Sequence, residues 1–183
     1  IFEYLIQINL KNKNENIIEL NFNDEEIGDN MIKILSLCTD LKSITNLKLY
    51  KNNISDKGIK YFSRCVFLIN LTNICFSNNN IGDNGMNYFS KCNFLINLND
   101  IDFARNKISN RGIEYFSKCK FLKNLTYLNL DNNNINNEGM KHFCKCDFLK
   151  KITYLILANN DICNGIKYLS ECEFLKNLTY LSL

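Results

Sequence analysis

The chain has 183 residues, a hydrophobic fraction of 46% and a charged fraction of 22%, a balance that supplies a continuous core and argues against disorder. The net charge is only +3 and the chain has no basic run, so the composition does not support nucleic-acid binding. No apolar stretch approaches the roughly 18–20 residues that cross a membrane, and residues 1–10 lack the layout of a signal peptide.

The first elements in chain order are two short alternating stretches. Ile6, Ile8 and Leu10 alternate with polar residues, and the polar segment 11–16 leads into a second stretch at 17–22. We therefore expect residues 1–16 to form an N-terminal cap or the remnant of a preceding repeat. Because the chain lacks an initiator Met and stops inside a repeat, we expect it to be a fragment of a longer protein.

From residue 47 onward the phrase apolar-x-apolar-x-x-Asn recurs every 27 residues. Its copies begin at Leu47, Ile74, Ile101, Leu128 and Leu155, and a cut-off copy follows 26 residues later at Leu181. Self-similarity of this kind indicates a solenoid, in which each unit buries its apolar face against its neighbours. Residues 17–183 are predicted to hold about six repeats and a truncated last strand.

Each repeat is predicted to begin with a strand and a sharp turn. Residues 71–76 alternate apolar and polar side chains, which suits a short strand with one buried face. Asn79 follows where the backbone leaves the strand, and a buried Asn there can bond backbone groups that no longer pair in the sheet. The repeated Asn therefore predicts a structural ladder rather than an exposed binding stripe.

The second half of each repeat is predicted to be an amphipathic helix. In the unit at 71–97 its apolar face is formed at spacings of three and four by Met86, Phe89, Cys92 or Asn93, and Leu95. Asp83 or Asn84 is expected to cap this helix. A glycine column at the helix start is expected to mark close backbone approach: Gly58, Gly85, Gly112, Gly139 and Gly165. The sixth unit lacks one residue between Ile162 and Gly165, which we expect the loop to tolerate.

The sequence LxLxxNxIxxxGI followed by a helix resembles leucine-rich repeats, and the 27-residue period resembles their ribonuclease-inhibitor-like subclass. The resemblance covers about residues 17–183. It implies an α/β solenoid, a horseshoe with a parallel inner sheet and outer helices, whose common property is a curved protein-binding surface. The cysteine at each helix end also resembles, in part, the repeats of F-box substrate receptors.

Six of the nine cysteines stand in one column: Cys38, Cys65, Cys92, Cys119, Cys146 and Cys172. Successive helices pack roughly 8–10 Å apart, whereas a disulfide needs Cα atoms within about 7 Å. We therefore expect the column not to pair and the thiols to be buried and reduced. Cys144 and Cys146 are expected to point away from each other, and no metal site is predicted.

No catalytic constellation is predicted. His142, the only histidine, stands in a column of tyrosines and is interpreted as a packing substitution. We expect neither enzymatic activity nor a cofactor. Reduced thiols favour a cytoplasmic or nuclear location; the glycosylation-like triplets at Asn70, Asn124 and Asn177 fall at one repeat position, so repetition alone generates them, and secretion is the less favoured alternative.

The candidate partner-binding residues lie on the predicted concave face. Tyr127, Tyr154 and Tyr180 occupy one column in three successive strands, roughly 4.8 Å apart. Exposed aromatic residues are good interface anchors, although tyrosine also has a high strand propensity of its own. A mostly acidic and polar group with one apolar member completes the predicted site: Asp100, Asp102, Arg105, Asn129, Asp131 and Ile156.

We expect the chain to be a non-catalytic, intracellular module that binds a partner protein on its concave face, with no nucleic-acid or membrane partner. Two alternatives stay open. A GTPase activator resembling the Ran-directed one would show nucleotide-dependent binding, and the substrate-receptor arm of a ubiquitin ligase would need an F-box-like segment elsewhere. Leu181 and Leu183, at an uncapped end, also predict end-to-end self-association of the fragment.

Overall fold

A computed structural model describes residues 18–183, so the predicted cap at residues 1–16 lies outside the described residues. Seven strands of three residues each form one parallel sheet, in the order in which they occur in the sequence. Each strand pairs with the next copy of the same phrase, so that Leu47 lies opposite Ile74 and Ile74 opposite Ile101. The strands are β1 (Glu19–Asn21), β2 (Asn46–Lys48), β3 (Asn73–Cys75), β4 (Asp100–Asp102), β5 (Tyr127–Asn129), β6 (Tyr154–Ile156) and β7 (Tyr180–Ser182).

A helix follows each of the first six strands, which confirms the predicted α/β solenoid. The helices are α1 (Gly28–Leu35), α2 (Asp56–Phe62), α3 (Asp83–Phe89), α4 (Asn110–Phe116), α5 (Asn137–Phe143) and α6 (Ile166–Leu169), and a 3-10 helix, Glu173–Asn177, precedes β7. Across residues 18–183, no helix combines the length and the apolar character that crossing a bilayer requires.

The helices are shorter than predicted. We expected the helical face of the third repeat to run to Leu95, but α3 ends at Phe89. Beyond it the backbone continues in tight turns, in which Cys92 N–H donates to the Phe89 carbonyl (2.9 Å) and Leu95 N–H to the Cys92 carbonyl (3.0 Å). An apolar residue at every third position suits these turns, and they carry the chain back to the sheet.

The predicted helix caps are also wrong by one residue. In the third repeat, for which Asp83 or Asn84 was predicted, the cap position is Gly82, which has no side chain to accept a bond. In the second, fourth and fifth repeats the residue at the same place accepts a backbone N–H two residues on with its side chain: Ser55, Ser109 and Asn136. Asp83 has a different role. Its carboxylate accepts hydrogen bonds from the Ser109 backbone N–H (2.8 Å) and hydroxyl (2.6 Å) in the next repeat, so it joins two repeats.

The asparagine ladder is confirmed. Asn106 is 8% exposed; its Oδ1 accepts the Ile81 N–H at 3.0 Å, and its Nδ2 donates to the carbonyls of Phe76, Phe103 and Ala104. Asn52, Asn79, Asn133 and Asn160 make equivalent bonds. Each side chain therefore satisfies backbone groups of its own repeat and of the preceding one.

A second asparagine column has a backbone role that the sequence analysis did not predict. The residue before each ladder Asn lies in the left-handed region, with φ of 55° at Asn78 and 53° at Arg105. Asn78, Asn132 and Asn159 suit this conformation, because Asn enters it more readily than most residues. Arg105 and Lys51 adopt it without that advantage.

The glycine column marks close approach between repeats, as predicted. A Cβ atom built on Gly112 would lie 2.7 Å from the Asp83 Oδ1 atom of the preceding repeat and 2.6 Å from Ile108 Cγ2. The absence of a side chain thus allows each helix to start against the previous one, where the aspartate bridges the two repeats.

The last repeat departs from the others. Helix α6 has four residues, whereas the preceding helices have seven or eight, and its start at Gly165 has no side-chain cap, as is also true of α1 and α3. At the junction between the fourth and fifth repeats, Asn110 Oδ1 accepts the backbone N–H groups of Asn136 (2.8 Å) and Gly139 (3.1 Å). The equivalent Asn137 Oδ1 is buried and has no partner among the described residues. The missing residue is tolerated, but it removes one link between repeats.

The cysteine prediction needs one correction. Cys65, Cys92, Cys119 and Cys146 are buried free thiols, as expected. Cys172, however, forms a disulfide with Cys144, the two Cα atoms lying 5.4 Å apart. The prediction considered neighbours within the column and the pair Cys144–Cys146, but not a bond between the column and Cys144, which caps the end of α5.

Candidate partner-binding surface

The side of the sheet that faces away from the core is the surface predicted to be concave. The middle residue of each of the first six strands is buried, as in Ile74 (3% exposed) and Ile101 (0%), whereas Leu181 in β7 is 41% exposed. Because side chains alternate along a strand, the first and third residues point to the opposite side, and they are partly exposed in β2 to β6. We call this side the open face.

Three tyrosines stack on the open face in adjacent strands. The ring centroids of Tyr127 and Tyr154 are 5.2 Å apart, which is within the usual range of aromatic pairs. Those of Tyr154 and Tyr180 are 4.0 Å apart, slightly closer than that range. Tyr180 remains 43% exposed. Burial raises the pKa of Tyr127 and of Tyr154 above the usual value, so the phenols stay neutral at physiological pH. These residues form the tyrosine ladder.

Carboxylates lie next to the ladder. The Asp102 carboxylate accepts the Ala104 N–H at 2.8 Å, and the Asp100 carboxylate accepts from the Asn73 amide. Burial raises the pKa of Asp102, with a contribution from the neighbouring Asp131 carboxylate. Within residues 18–183 no lysine or arginine forms an ion pair with these aspartates.

The other predicted site residues occupy the same surface or its rim. Asn129 and Ile156 are the third residues of β5 and β6 and lie opposite each other in the sheet. Asp131 lies just beyond β5, where its carboxylate accepts the Asn159 amide at 2.7 Å. Arg105 is exposed in the turn after β4, so its guanidinium belongs to the rim rather than to the face.

The sequence analysis missed a depression on the open face. Its volume is about 210 Å³, and Asn46, Asn73 and Cys75 line it together with Asp100, Asp102 and Tyr127. At its far side Lys48 Nζ lies 3.0 Å from Glu19 Oε1. The repeat alignment shows that short side chains stand next to Tyr127 in the sheet. The depth of the depression, however, depends on how these side chains are oriented, which the alignment does not show.

The chemistry available here is stacking, hydrogen bonding and charge attraction. Throughout the described part of the chain, no three His, Cys, Asp or Glu residues are grouped so that they could hold a metal ion. His142 lies on α5, half-buried, with an Nδ1 atom that has no hydrogen-bond partner among residues 18–183. It packs in the outer tyrosine column and is not part of the open face.

Comparison with known proteins identifies the repeat type. A family model described as Leucine Rich repeat matches residues 121–144. Among solved structures, the chain is similar to internalin C2 from Listeria monocytogenes str. 4b F2365, with a TM-score of 0.59 and 23% identity over 81% of this chain and 55% of that one. It is also similar to the leiomodin-1 actin-binding site 2, with a TM-score of 0.51 and 24% identity over 61% of this chain and 69% of that one.

The chain thus spans just over half of the internalin C2 chain. No curated protein sequence matches it. The likenesses confirm the leucine-rich-repeat fold, while the assignment to the ribonuclease-inhibitor-like subclass stays a prediction.

Proposed function

We propose that this chain, which has the leucine-rich-repeat fold, binds a partner protein on its open face without chemistry of its own. The observation that carries the proposal is the tyrosine ladder. Its three rings are held in one line by adjacent strands and by mutual stacking, yet they stay partly accessible. Rigid aromatic side chains lose little entropy on binding and are frequent interface hot spots.

The aspartates beside the ladder give the proposed surface a charge preference. The carboxylates of Asp100, Asp102 and Asp131 accept hydrogen bonds from neutral groups, and no lysine or arginine among residues 18–183 forms an ion pair with them. A partner with basic side chains opposite them would gain attraction in a partly desolvated site. The resemblance to the leiomodin-1 actin-binding site 2 supports protein binding in general.

The test compares two triple variants that remove the same number of tyrosines. Tyr127→Ala/Tyr154→Ala/Tyr180→Ala removes the ladder. The control removes Tyr61, Tyr88 and Tyr115, which lie in the outer column, where Tyr88 has Lys91 over its ring. Both variants must retain a cooperative circular-dichroism melt, and each is used with the wild type to capture proteins from cell lysate.

We expect a partner that the wild type and the control retain and the ladder variant loses, with a Kd at least about tenfold weaker for the ladder variant with the purified partner. An unchanged capture pattern, or equal loss with the control, would contradict binding at the ladder. The same capture distinguishes the two alternatives. A GTPase activator would retain a partner only in one nucleotide state, and a ubiquitin-ligase arm would retain a ligase substrate.

A further inference from the structure

The end of each helix carries a residue that differs in one repeat only. In five repeats it is a serine whose hydroxyl donates to the carbonyl three residues earlier: Ser36, Ser63, Ser90, Ser117 and Ser170. In the fifth repeat this position is Cys144, and its sulfur is bonded to Cys172. The exchange of serine for cysteine occurs in the repeat that precedes the shortened one.

The disulfide joins the last repeat to its neighbour where other links are missing. Helix α6 is four residues long, and Asn137 Oδ1 lacks the backbone partner that its counterpart Asn110 has. The covalent bond therefore spans the junction at which the hydrogen bonds that Asn110 Oδ1 makes in the preceding repeat have no counterpart. It restrains the segment that carries Tyr180, which stacks on Tyr154.

The disulfide borders a surface depression. Cys144 is half-buried and Cys172 is 6% exposed, and both line a depression of about 440 Å³. The charged residues of its walls are Asp147, Lys150, Glu171, Glu173 and Lys176. The thiols of the column are different. Cys92, Cys119 and Cys146 are fully buried, and burial raises the pKa of each thiol well above its usual value, so thiolate, the reactive form, is scarce there.

We propose that Cys144–Cys172 is a thiol–disulfide exchange site for a low-molecular-weight thiol such as glutathione, and that its reduction loosens the last repeat. A glutathione thiolate attacks the more accessible Cys144 sulfur, the protein S–S bond breaks, and Cys172 leaves as a thiolate. A second glutathione thiolate attacks the glutathione sulfur of the mixed disulfide and releases Cys144. The products are one glutathione disulfide and, after uptake of two protons, two protein thiols.

The reduced state has a hydrogen-bond acceptor in place. Cys144 Sγ lies 2.9 Å and Cys172 Sγ 3.1 Å from the Tyr168 carbonyl oxygen, which can accept an S–H hydrogen bond once the thiols form. A loosened last repeat would leave Tyr180 less firmly stacked on Tyr154. This consequence for partner binding rests on the proposed function, whereas the exchange chemistry does not.

The experiment uses the full chain with Cys163→Ser, which removes the exposed free thiol. The protein is equilibrated with glutathione and glutathione disulfide at a series of ratios, quenched, alkylated and analysed by peptide mass spectrometry. We expect Cys144 and Cys172 to become alkylated together in a single transition, while Cys92, Cys119 and Cys146 stay unlabelled. Independent labelling of the two cysteines, or no change across the series, would overturn the exchange site.

Hydrogen exchange then tests the structural consequence. We expect reduction to accelerate amide exchange in residues 164–183 by about tenfold or more and to leave residues 46–137 unchanged. Cys144→Ser in the same background restores the serine of the other repeats and should exchange like the reduced protein at every glutathione ratio. Equal exchange in the oxidised and reduced protein would refute the loosening. If neither the oxidised nor the reduced protein binds a partner through the tyrosine ladder, the proposed function is contradicted and the exchange site is not affected.

Discussion

The fourth and the last repeats differ by one residue in length and in how their helices start. In the fourth repeat, Ser109 caps α4 and also receives the aspartate bridge from Asp83. In the last repeat the capped start is missing and the helix is four residues long, and Asn137 Oδ1 of the preceding repeat is left without a partner among the described residues. A solenoid repeat therefore depends on register as much as on its apolar residues, because each polar link needs a partner at a fixed distance along the chain.

The largest expected effect contrasts two members of the asparagine ladder. Asn106→Ala removes four hydrogen bonds to buried backbone groups and should lower the free energy of unfolding by about 2–4 kcal/mol. Asn160 makes the same pattern of bonds but is only partly buried, so water can replace some of them and Asn160→Ala should cost about 1–2 kcal/mol. Urea denaturation measures both, and equal losses would remove the contrast.

The glycine column gives the next largest effect. Gly112→Ala places a methyl group 2.7 Å from Asp83 Oδ1 and 2.6 Å from Ile108 Cγ2 and should cost about 1–3 kcal/mol. At Gly165 the nearest atom, at 2.8 Å, belongs to the flexible side chain of Met140, so we expect a smaller loss. The two melting temperatures test the order, and a larger loss at Gly165 would contradict it.

Restoring the missing residue should strengthen the last repeat. An Asn inserted between Cys163 and Asn164 gives the sixth unit the length of the others and offers Asn137 Oδ1 a backbone N–H. We expect a gain of about 1 kcal/mol and slower hydrogen exchange in α6. The matched control inserts an Asn between Asn136 and Asn137, where the register is already complete, and should destabilise the chain. A loss from both insertions would show that the shorter length suits the last repeat better.

The smallest effect concerns Asp102. Because burial raises its pKa in the folded state above the usual 3.8, the folded protein binds the proton more readily than the unfolded chain does. The ionised carboxylate thus costs stability above the folded pKa, and the cost disappears as the pH falls through that value to below 3.8. We expect Asp102→Asn to melt about 1–2 °C higher than the wild type at pH 7 and at the same temperature near pH 3. The exposed Asp147→Asn should shift neither, and a lower melting temperature for Asp102→Asn at pH 7 would contradict the sign.

The sequence predicted the fold well because the buried columns repeat at a fixed interval, which identifies the strands, the ladder and the glycines at once. The helix ends were wrong because an apolar residue at every third position is compatible with a helix and with tight turns, and only the backbone bonds at Cys92 and Leu95 distinguish the two. The caps were wrong because Asp83 satisfies the neighbouring repeat rather than its own helix.

The sequence predicted which residues of the candidate surface are aligned across the strands, but not the shape of that surface. The sequence placed Tyr127, Tyr154 and Tyr180 in line because register follows from the period. The ring stacking and the depression beside Tyr127 depend on side-chain rotation, which periodicity does not determine. The Cys144–Cys172 bond was not predicted for a related reason. It joins residues at different positions of the repeat, and their Cα separation of 5.4 Å cannot be obtained from spacing along the chain.

The asparagine ladder also constrains how such a chain can change its length. Each ladder side chain bonds its own repeat and the one before it, as Asn106 does through Phe103 and Phe76. Duplication or loss of a whole 27-residue unit would therefore regenerate the same bonds at the new junction, whereas a shift of one residue breaks a link, as at Asn137. Tandem duplication of whole units is the route by which this architecture can grow while every junction stays intact.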